Sequence, residues 1–125
     1  MVKIFIVDDD QSLQRLYSLI LIETGFEIVD TAYNGKMAVE KYNNFQKKPD
    51  VILMDHRMPI KNGLDAMKEI LKFNDHVNII FASADITIRD EALSLGACAF
   101  LDKPFNMKKL ILTIKEVINQ LVIER

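Results

Sequence analysis

Five short apolar runs recur along the chain, and each is followed by a segment with apolar residues at helical spacing. The runs occupy residues 4–7, 26–29, 51–54, 77–81 and 99–101. The first, third and fourth are nearly continuous rather than alternating, which is typical of strands buried on both faces of a parallel sheet. About 20 to 27 residues separate the centres of successive runs, which leaves room for one helix and two short loops.

The intervening segments predict five helices. The first covers residues 11–24, and its predicted core face consists of Leu13, Leu16, Tyr17 and Ile20. Asp9 or Asp10 is expected to cap it, and Gly25 to end it. The second follows Asn34-Gly35 and ends before Pro49, the third follows Asn62-Gly63, the fourth covers 86–95, and the last begins after Pro104. This alternation predicts an α/β fold, a (βα)5 doubly wound parallel five-stranded sheet, as a single domain over residues 1–125.

Composition narrows the class of protein. The 125 residues are 50% hydrophobic and 27% charged with a net charge of −2, which favours a packed domain over disorder. Clustered Lys and Arg are lacking, so direct nucleic-acid binding is not expected. No apolar run approaches the roughly 20 residues of a membrane span, and no signal peptide is evident at the N-terminus. We therefore expect a cytoplasmic domain that does not contact a membrane.

The few remaining special residues carry little chemistry. A single cysteine, Cys98, excludes an internal disulfide framework and a cysteine-built zinc site, and it is expected to be a small buried residue in the fifth strand. His56 and His76 are too isolated to predict a metal site or a proton relay. Surface or loop positions are expected for both.

Polar residues follow the predicted strands. Asp8, Asp9 and Asp10 follow the first strand, Asp55 the third, Ser83 the fourth, and Asp102-Lys103-Pro104 the fifth. Ligands of open parallel sheets bind at the carboxyl ends of strands. If strands one and three are neighbours, as in the flavodoxin-like order 2-1-3-4-5, several carboxylates crowd one edge. Two unit charges roughly 5 Å apart repel by about 3 kcal/mol at an effective dielectric near 20, so the cluster must raise a pKa or recruit a cation.

The donor atoms indicate which cation and which chemistry. Carboxylates with several waters are the usual setting for Mg²⁺. A lysine and a hydroxyl beside such a site suit phosphoryl transfer to a carboxylate. Each residue also has a plainer interpretation: Asp10 as a helix cap, Asp55 as a turn residue, Lys103 as a surface lysine and Ser83 as a strand end. Their joint placement at the ends of different strands favours a shared site.

The chain resembles the receiver domain of two-component response regulators over essentially its whole length. The segments that carry the resemblance are Ile6-Val7-Asp8-Asp9, Leu53-Met54-Asp55-His56-Arg57-Met58-Pro59 with Gly63, Ser83-Ala84, Gly96-Ala97 and Phe100-Leu101-Asp102-Lys103-Pro104-Phe105. Each is weakly specific alone, and together in this order and spacing they are strongly specific.

The resemblance implies a phosphoacceptor and a metal site. Asp55 is expected to attack the phosphohistidine of a partner kinase and to form an acyl phosphate. Asp8 and Asp9 are expected to hold Mg²⁺, with Asp55 and the backbone carbonyl of Arg57 completing the protein ligands. The chain is then not an enzyme acting on other molecules, because it catalyses only its own phosphorylation and dephosphorylation.

The resemblance also implies a conformational switch. Ser83 is expected to turn its hydroxyl toward the phosphoryl group, and Lys103 to contact a phosphoryl oxygen, with a cis peptide bond between Lys103 and Pro104. Phe100 occupies the aromatic switch position, where tyrosine is commoner, and is expected to rotate inward when Ser83 moves. The space that Ser83 vacates couples the site to a distant face.

Two residues at the mouth of the site raise a further hypothesis. Arg57 stands two places after Asp55, and Asp85 two places after Ser83. Similar domains use these positions to modulate the attack of water on the acyl phosphate, so an Arg57–Asp85 ion pair would hinder water. The alternative, that both side chains are simply solvated, stays open because exposed pairs contribute little.

The implied partners are a sensor histidine kinase or a histidine phosphotransfer protein upstream and a protein target downstream. No effector domain is expected after the fifth helix, so the chain resembles a stand-alone receiver of chemotaxis or a phosphorelay. A receiver cut from a longer regulator would look the same. Whether phosphorylation produces a homodimer stays open.

Two surfaces are candidates for these partners. The resemblance implies that the first is the face of helix four, strand five and helix five. We expect its partner residues to be Ile86, Phe100, Lys103 and Leu112, with Ile123 on the same side of the last helix. Scattered surface hydrophobic residues would look similar. The second is helix one, which flanks the acidic site and is expected to expose Gln14, Arg15 and Ser18.

Three other functions are found on related folds or would use similar residues. A flavin-binding module needs a phosphate-binding loop after the first strand, where three aspartates stand instead. A phosphatase of the haloacid dehalogenase type would use the Asp8-x-Asp10 spacing, but its cap segments are missing. A phosphorylation-independent docking module of receiver fold remains the alternative, although such modules usually lose an acidic residue, the phosphoacceptor or the lysine, and this chain retains all of them.

Overall fold

The computed structural model of the protein describes the backbone of residues 1–124 and the side chains of residues 1–119. The elements are β1 (Lys3–Val7), α1 (Gln11–Glu23), β2 (Glu27–Ala32), α2 (Gly35–Asn44), β3 (Val51–Met54), α3 (Gly63–Phe73), β4 (Ile79–Ser83), a 3₁₀ turn (Ile86–Ile88), α4 (Arg89–Leu95), β5 (Ala99–Asp102) and α5 (Met107–Glu124). All neighbouring strands pair in parallel, in the order β2-β1-β3-β4-β5. The predicted fold class and strand order are confirmed.

Side chains from both faces of the sheet are buried, which explains the continuous apolar runs. Along β1, Phe5 and Val7 pack toward α2, α3 and α4, whereas Ile4 and Ile6 pack toward α1 and α5. All four are at most 1% exposed. Because neither face of the central strands meets water, alternation of polar and apolar residues is not needed there.

Polar side chains fix where the first three helices begin. The Asp10 carboxylate accepts hydrogen bonds from the backbone N–H groups of Ser12 and Leu13, at 2.9 and 3.2 Å. Asn34 and Asn62 cap α2 and α3 in the same way. Asp10 is thus the cap of α1, so its plainer interpretation holds.

The other helix ends follow the sequence with one difference. Gly25 and Gly96 lie just past α1 and α4 with φ of 103° and 124°, the left-handed region that ends helices. The fourth predicted helix, over 86–95, divides into the 3₁₀ turn and α4. The Asp85 side chain accepts from the Thr87 N–H, which caps the turn rather than a continuous helix.

A close backbone approach positions the loop between β3 and α3. A Cβ atom on Gly63 would collide with the carbonyl oxygen of Asp55, so only glycine allows the start of α3 to lie this close to the end of β3. The Gly63 N–H donates to the His56 carbonyl at 2.8 Å. In the same loop Ile60 has φ of 71°, which strains a β-branched residue.

Two sequence expectations were wrong in part. Cys98 is exposed and directly precedes β5, because the strand pairing with β4 begins at Ala99. On α1, Leu16 is 45% exposed, while the buried residues are Gln14, Tyr17 and Leu21. Apolar residues surround α1, so their spacing alone did not single out the face that meets the sheet. Among the residues described, no helix is both long and apolar enough to cross a membrane.

Candidate functional site

Three carboxylates converge at the carboxyl edge of the sheet. Asp8 and Asp9 follow β1, and Asp55 follows the neighbouring strand β3; the Asp55 N–H donates to the Val7 carbonyl at 2.9 Å. Carboxylate oxygens of the three residues all lie within 4.8 Å of one another. Asp8 and Asp55 are buried, whereas Asp9 is exposed. The crowding follows directly from the adjacency of β1 and β3.

Lys103 enters this cluster from the end of β5. Its ammonium Nζ lies 2.8 Å from Asp8 Oδ2 and 3.6 Å from Asp55 Oδ1, and its side chain is 17% exposed. Burial acts to lower the pKa of Lys103, but the hydrogen bond to Asp8 and the charge of Asp55 outweigh it and raise that pKa. The peptide bond between Lys103 and Pro104 is cis, as expected.

The surroundings of Asp55 disfavour the ionised form of its carboxyl group. Burial raises the pKa of its carboxyl from 3.8 to about 6, and the charges of Asp8 and Asp9 act in the same direction. Lys103 and the His56 N–H, which donates to Asp55 Oδ1 at 2.8 Å, offset only part of this effect. Additional positive charge would therefore stabilise the ionised cluster.

The donor set fits a hard divalent cation. Three carboxylates offer oxygen atoms only, one of them is exposed to solvent, and the cluster carries more negative than positive charge. Oxygen ligands with open positions for water are the arrangement that Mg²⁺ favours. Arg57, whose carbonyl was expected to complete the set, lies in the loop directly after Asp55 and His56.

Ser83 and Phe100 lie on the adjacent strands β4 and β5. Ser83 is 1% exposed, and its Oγ accepts a hydrogen bond from the Asp85 N–H at 3.0 Å. Phe100 pairs in register with Phe81, and their rings stack with centroids 6.5 Å apart. Phe100 is only partly buried in this conformation.

The hypothesised ion pair at the mouth of the site is present. Arg57 Nη2 lies 3.2 Å from Asp85 Oδ2, with the Arg57 side chain 80% exposed and that of Asp85 13% exposed. The structure therefore favours the pair over two independently solvated side chains. It links the loop after β3 to the loop after β4.

The candidate partner residues have different surroundings. Ile86 is 64% exposed and Leu112 is 50% exposed, whereas Phe100 is partly buried and the Lys103 ammonium points into the acidic cluster. Ile123 lies outside the residues whose side chains are described. The two exposed residues, Ile86 and Leu112, offer apolar surface.

A groove beside α1 is a further candidate surface, and it does not include Gln14, Arg15 or Ser18, the positions predicted for docking on that helix. A cavity of about 370 Å³ lies between α1 and the loop that joins β5 to α5, and Leu13, Leu16, Phe105 and Lys103 are among its lining residues. Tyr17 also lines it and stacks on Phe105 with ring centroids 5.9 Å apart. This groove thus opens next to the lysine of the acidic cluster.

Two site residues were missed by sequence reasoning. Gln14, expected to be exposed, is 4% exposed, and its amide nitrogen donates to the carbonyls of Asp8 and Ala32 at 2.7 Å each. His56 does lie in a loop, but it is buried and its Nδ1 accepts the Leu64 N–H at 3.4 Å. Burial lowers the pKa of His56.

Comparison with known proteins gives consistent matches. A family model described as the response regulator receiver domain matches residues 4–115. The chemotaxis protein CheY of Thermotoga maritima is 37% identical over 117 residues, which cover 92% of this chain and 96% of that protein. A chain in the crystal structure of the CheX–CheY–BeF₃–Mg²⁺ complex from Borrelia burgdorferi superposes with a TM-score of 0.90 at 29% identity, covering 94% of this chain and 89% of that chain. The response regulator TrrA of Thermotoga maritima, in complex with Mg²⁺ and BeF, gives a TM-score of 0.83 at 33% identity, covering 94% of this chain and 99% of that chain.

Proposed function

We propose that this chain, which belongs to the family of response regulator receiver domains, is a cytoplasmic phosphoacceptor that takes a phosphoryl group from a histidine kinase onto Asp55 in a Mg²⁺-dependent reaction. One observation carries the proposal: three carboxylates and one partly buried lysine converge at the carboxyl edge of the sheet. The Mg²⁺–BeF complexes among the similar structures support the choice of cation. The direct test is whether acetyl phosphate and Mg²⁺ load one phosphoryl group onto Asp55.

The reaction follows from the placement of Asp55. An oxygen of its carboxylate attacks the phosphorus of a phosphohistidine, an O–P bond forms, and the P–N bond breaks with the electron pair leaving on the histidine nitrogen. Asp8, Asp9, Asp55 and the Arg57 carbonyl would hold Mg²⁺, which supplies positive charge to the transferring phosphoryl oxygens. The chain acts on no other substrate, since its chemistry is confined to gain and loss of its own phosphoryl group.

Lys103 and Ser83 respond to the new group. In the unmodified protein the Lys103 ammonium bonds to Asp8, and a phosphoryl oxygen on Asp55 would draw it outward. The Ser83 hydroxyl now accepts from Asp85, and it would rotate to donate to the phosphoryl group. Phe100, partly buried beside Phe81, would move into the space that Ser83 leaves.

The phosphodonor and the target would use two faces that meet at Lys103. A sensor kinase or histidine phosphotransfer protein would dock on α1 and the groove beside Lys103, because that groove opens at the site. A downstream protein, or a second phosphorylated copy, would contact the partner face of Ile86, Phe100, Lys103 and Leu112. Phe100 and Lys103 would move on phosphorylation and so change the shape of this face, while Ile86 and Leu112 supply exposed apolar area.

Replacing Leu112 should weaken partner binding without affecting phosphorylation. Leu112→Lys places a charge in an apolar contact, so binding of the phosphorylated protein to its target, or to itself, should weaken by about tenfold. Phosphorylation by acetyl phosphate should be unchanged, because Leu112 lies on the outer side of α5. Size-exclusion chromatography and a target-binding titration measure the effect, with Phe73→Lys, the same kind of change at an exposed residue of α3, as a control. Unchanged self-association and unchanged target binding would exclude Leu112 from the partner face.

The Arg57–Asp85 ion pair should lengthen the lifetime of the acyl phosphate. Since the pair spans the mouth of the site, Arg57→Ala should admit water and speed dephosphorylation by a few-fold, a modest effect in keeping with an exposed pair. Loss of the phosphoryl group after removal of the donor can be followed by intact-protein mass spectrometry. Arg89→Ala removes an exposed arginine without this partner and serves as the control. Equal lifetimes in wild type and Arg57→Ala would show that the ion pair does not protect the acyl phosphate from water.

A further inference from the structure

We infer that Gln14 is a positioning residue for the cation and phosphoacceptor site. The inference rests on the proposed function, in which Asp8 is a ligand of Mg²⁺. Gln14 touches neither the carboxylates nor a transferring group. It acts through the backbone of Asp8, to which its side chain is bonded.

The geometry of the Gln14 amide leaves one assignment of its atoms. Its terminal nitrogen lies 2.7 Å from the carbonyl oxygens of both Asp8 and Ala32. Carbonyl oxygens only accept, so the NH₂ group must face them, and it spends one N–H on each. The side chain is buried against the sheet, so the amide joins the ends of β1 and β2 from within α1.

The bond to Gln14 completes a set of contacts that holds every polar group of Asp8. The Asp8 N–H donates to the Ala32 carbonyl at 3.0 Å, and its carbonyl accepts from Gln14. Its carboxylate accepts the Asp10 N–H on Oδ1 at 2.9 Å and the Lys103 ammonium on Oδ2 at 2.8 Å. Since the Asp8 carbonyl belongs to the peptide unit that leads into Asp9, Gln14 sets the plane of the peptide between the two predicted metal ligands.

Packing alone does not account for a glutamine here. Gln14 shares the buried face of α1 with Tyr17 and Leu21, where an apolar residue of similar volume would also fit. Such a residue would leave the Asp8 carbonyl without this donor, in a buried setting where an unmade hydrogen bond is costly. A polar residue is therefore required by Asp8 rather than by the core.

The test compares Gln14→Met with Leu21→Val. Both change the buried face of α1, and the volume-matched methionine removes the two hydrogen bonds while valine removes only packing. Titration of the donor-free protein with MgCl₂ by isothermal calorimetry should show Mg²⁺ affinity about tenfold weaker in Gln14→Met, as is usual when a group that orients a ligand is lost. Leu21→Val should stay within about twofold of wild type, because packing energy is lost without moving Asp8. The ¹⁵N–¹H signals of Asp9 and Asp10 in metal-free protein should shift in Gln14→Met only.

The outcomes separate this inference from the proposed function. If wild type binds Mg²⁺, and Gln14→Met is less stable but binds it equally well with unshifted Asp9 and Asp10 signals, Gln14 is a core residue and the inference is wrong. If wild type neither binds Mg²⁺ nor accepts a phosphoryl group, the proposed function itself fails. Should Gln14→Met not fold, Gln14→Asn, which stays polar but is one methylene shorter, is read by the same criteria.

Discussion

Wild-type protein incubated with acetyl phosphate and Mg²⁺ should gain one phosphoryl group, and the Asp55→Asn variant should gain none. A carboxamide is not a nucleophile toward phosphorus, so the expected loss is complete rather than partial. A chelator should abolish the gain in wild type, because the phosphoryl oxygens would then meet uncompensated carboxylates. Intact-protein mass spectrometry measures both effects on the same samples.

Asp10→Asn is the matched control for that experiment. Asp10 adjoins the acidic pair, but its carboxylate caps α1, and asparagine caps helices equally well. This variant should therefore still gain the phosphoryl group. A gain in Asp55→Asn would point to another acceptor. If wild type gains nothing from either acetyl phosphate or a phosphorylated kinase, the chain is better explained as a phosphorylation-independent docking module.

The sheet and the acidic cluster were predictable because both depend on local sequence and strand order. Continuous apolar runs such as 51–54 are typical of strands covered on both faces, and the residue after each run lies at the ligand-binding edge. Adjacency of β1 and β3 then brings Asp8 and Asp55 together without any further information. The cap at Asp10 and the helix ends at Gly25 and Gly96 follow from local backbone chemistry in the same way.

The burial of individual side chains on α1 could not be predicted, because it depends on which face of the helix is turned toward the sheet. The helix α1 carries apolar residues nearly all round, so the spacing of Leu13, Leu16 and Tyr17 looked as good as that of Gln14, Tyr17 and Leu21. Only the second set meets the sheet. Residues at i, i+3 and i+7 lie on one stripe of a helix. If polar residues able to bond to strand-end carbonyls are allowed on the buried stripe, the pattern predicts that Gln14 is buried.

The other residues whose surroundings could not be predicted lie in loops. His56 was expected in a surface or loop position, and it does lie in a loop, yet the close approach at Gly63 folds that loop inward over the histidine. Cys98 sits one residue outside β5, a boundary that strand pairing rather than hydropathy decides. The Arg57–Asp85 pair joins two loops and depends on their conformations.

Removing the charge of Asp55 should stabilise the metal-free protein at neutral pH. The pKa of this carboxyl is raised from 3.8 to about 6 in the folded state, so its ionisation opposes folding. A shift of that size corresponds to at most about 3 kcal/mol, and we expect Asp55→Asn to raise the free energy of unfolding at pH 7 by about 2 kcal/mol. Urea denaturation in the presence of a chelator measures it, with Asp75→Asn, an exposed position outside the cluster, as the control.

The pH dependence of the stability difference between wild type and Asp55→Asn independently tests the direction of the Asp55 pKa shift. Between the unfolded pKa of 3.8 and the folded pKa of about 6, the folded protein binds the Asp55 proton more tightly than the unfolded chain does. Wild type should therefore lose stability relative to Asp55→Asn as pH rises through this window, and the two should converge below about pH 3, where Asp55 is protonated in the unfolded chain as well. Added Mg²⁺ should narrow the gap at pH 7, since it binds the folded wild type and compensates the charge. Equal unfolding free energies across this range would mean that Asp55 ionises without penalty, and the crowding of carboxylates would then not explain why the site needs a cation.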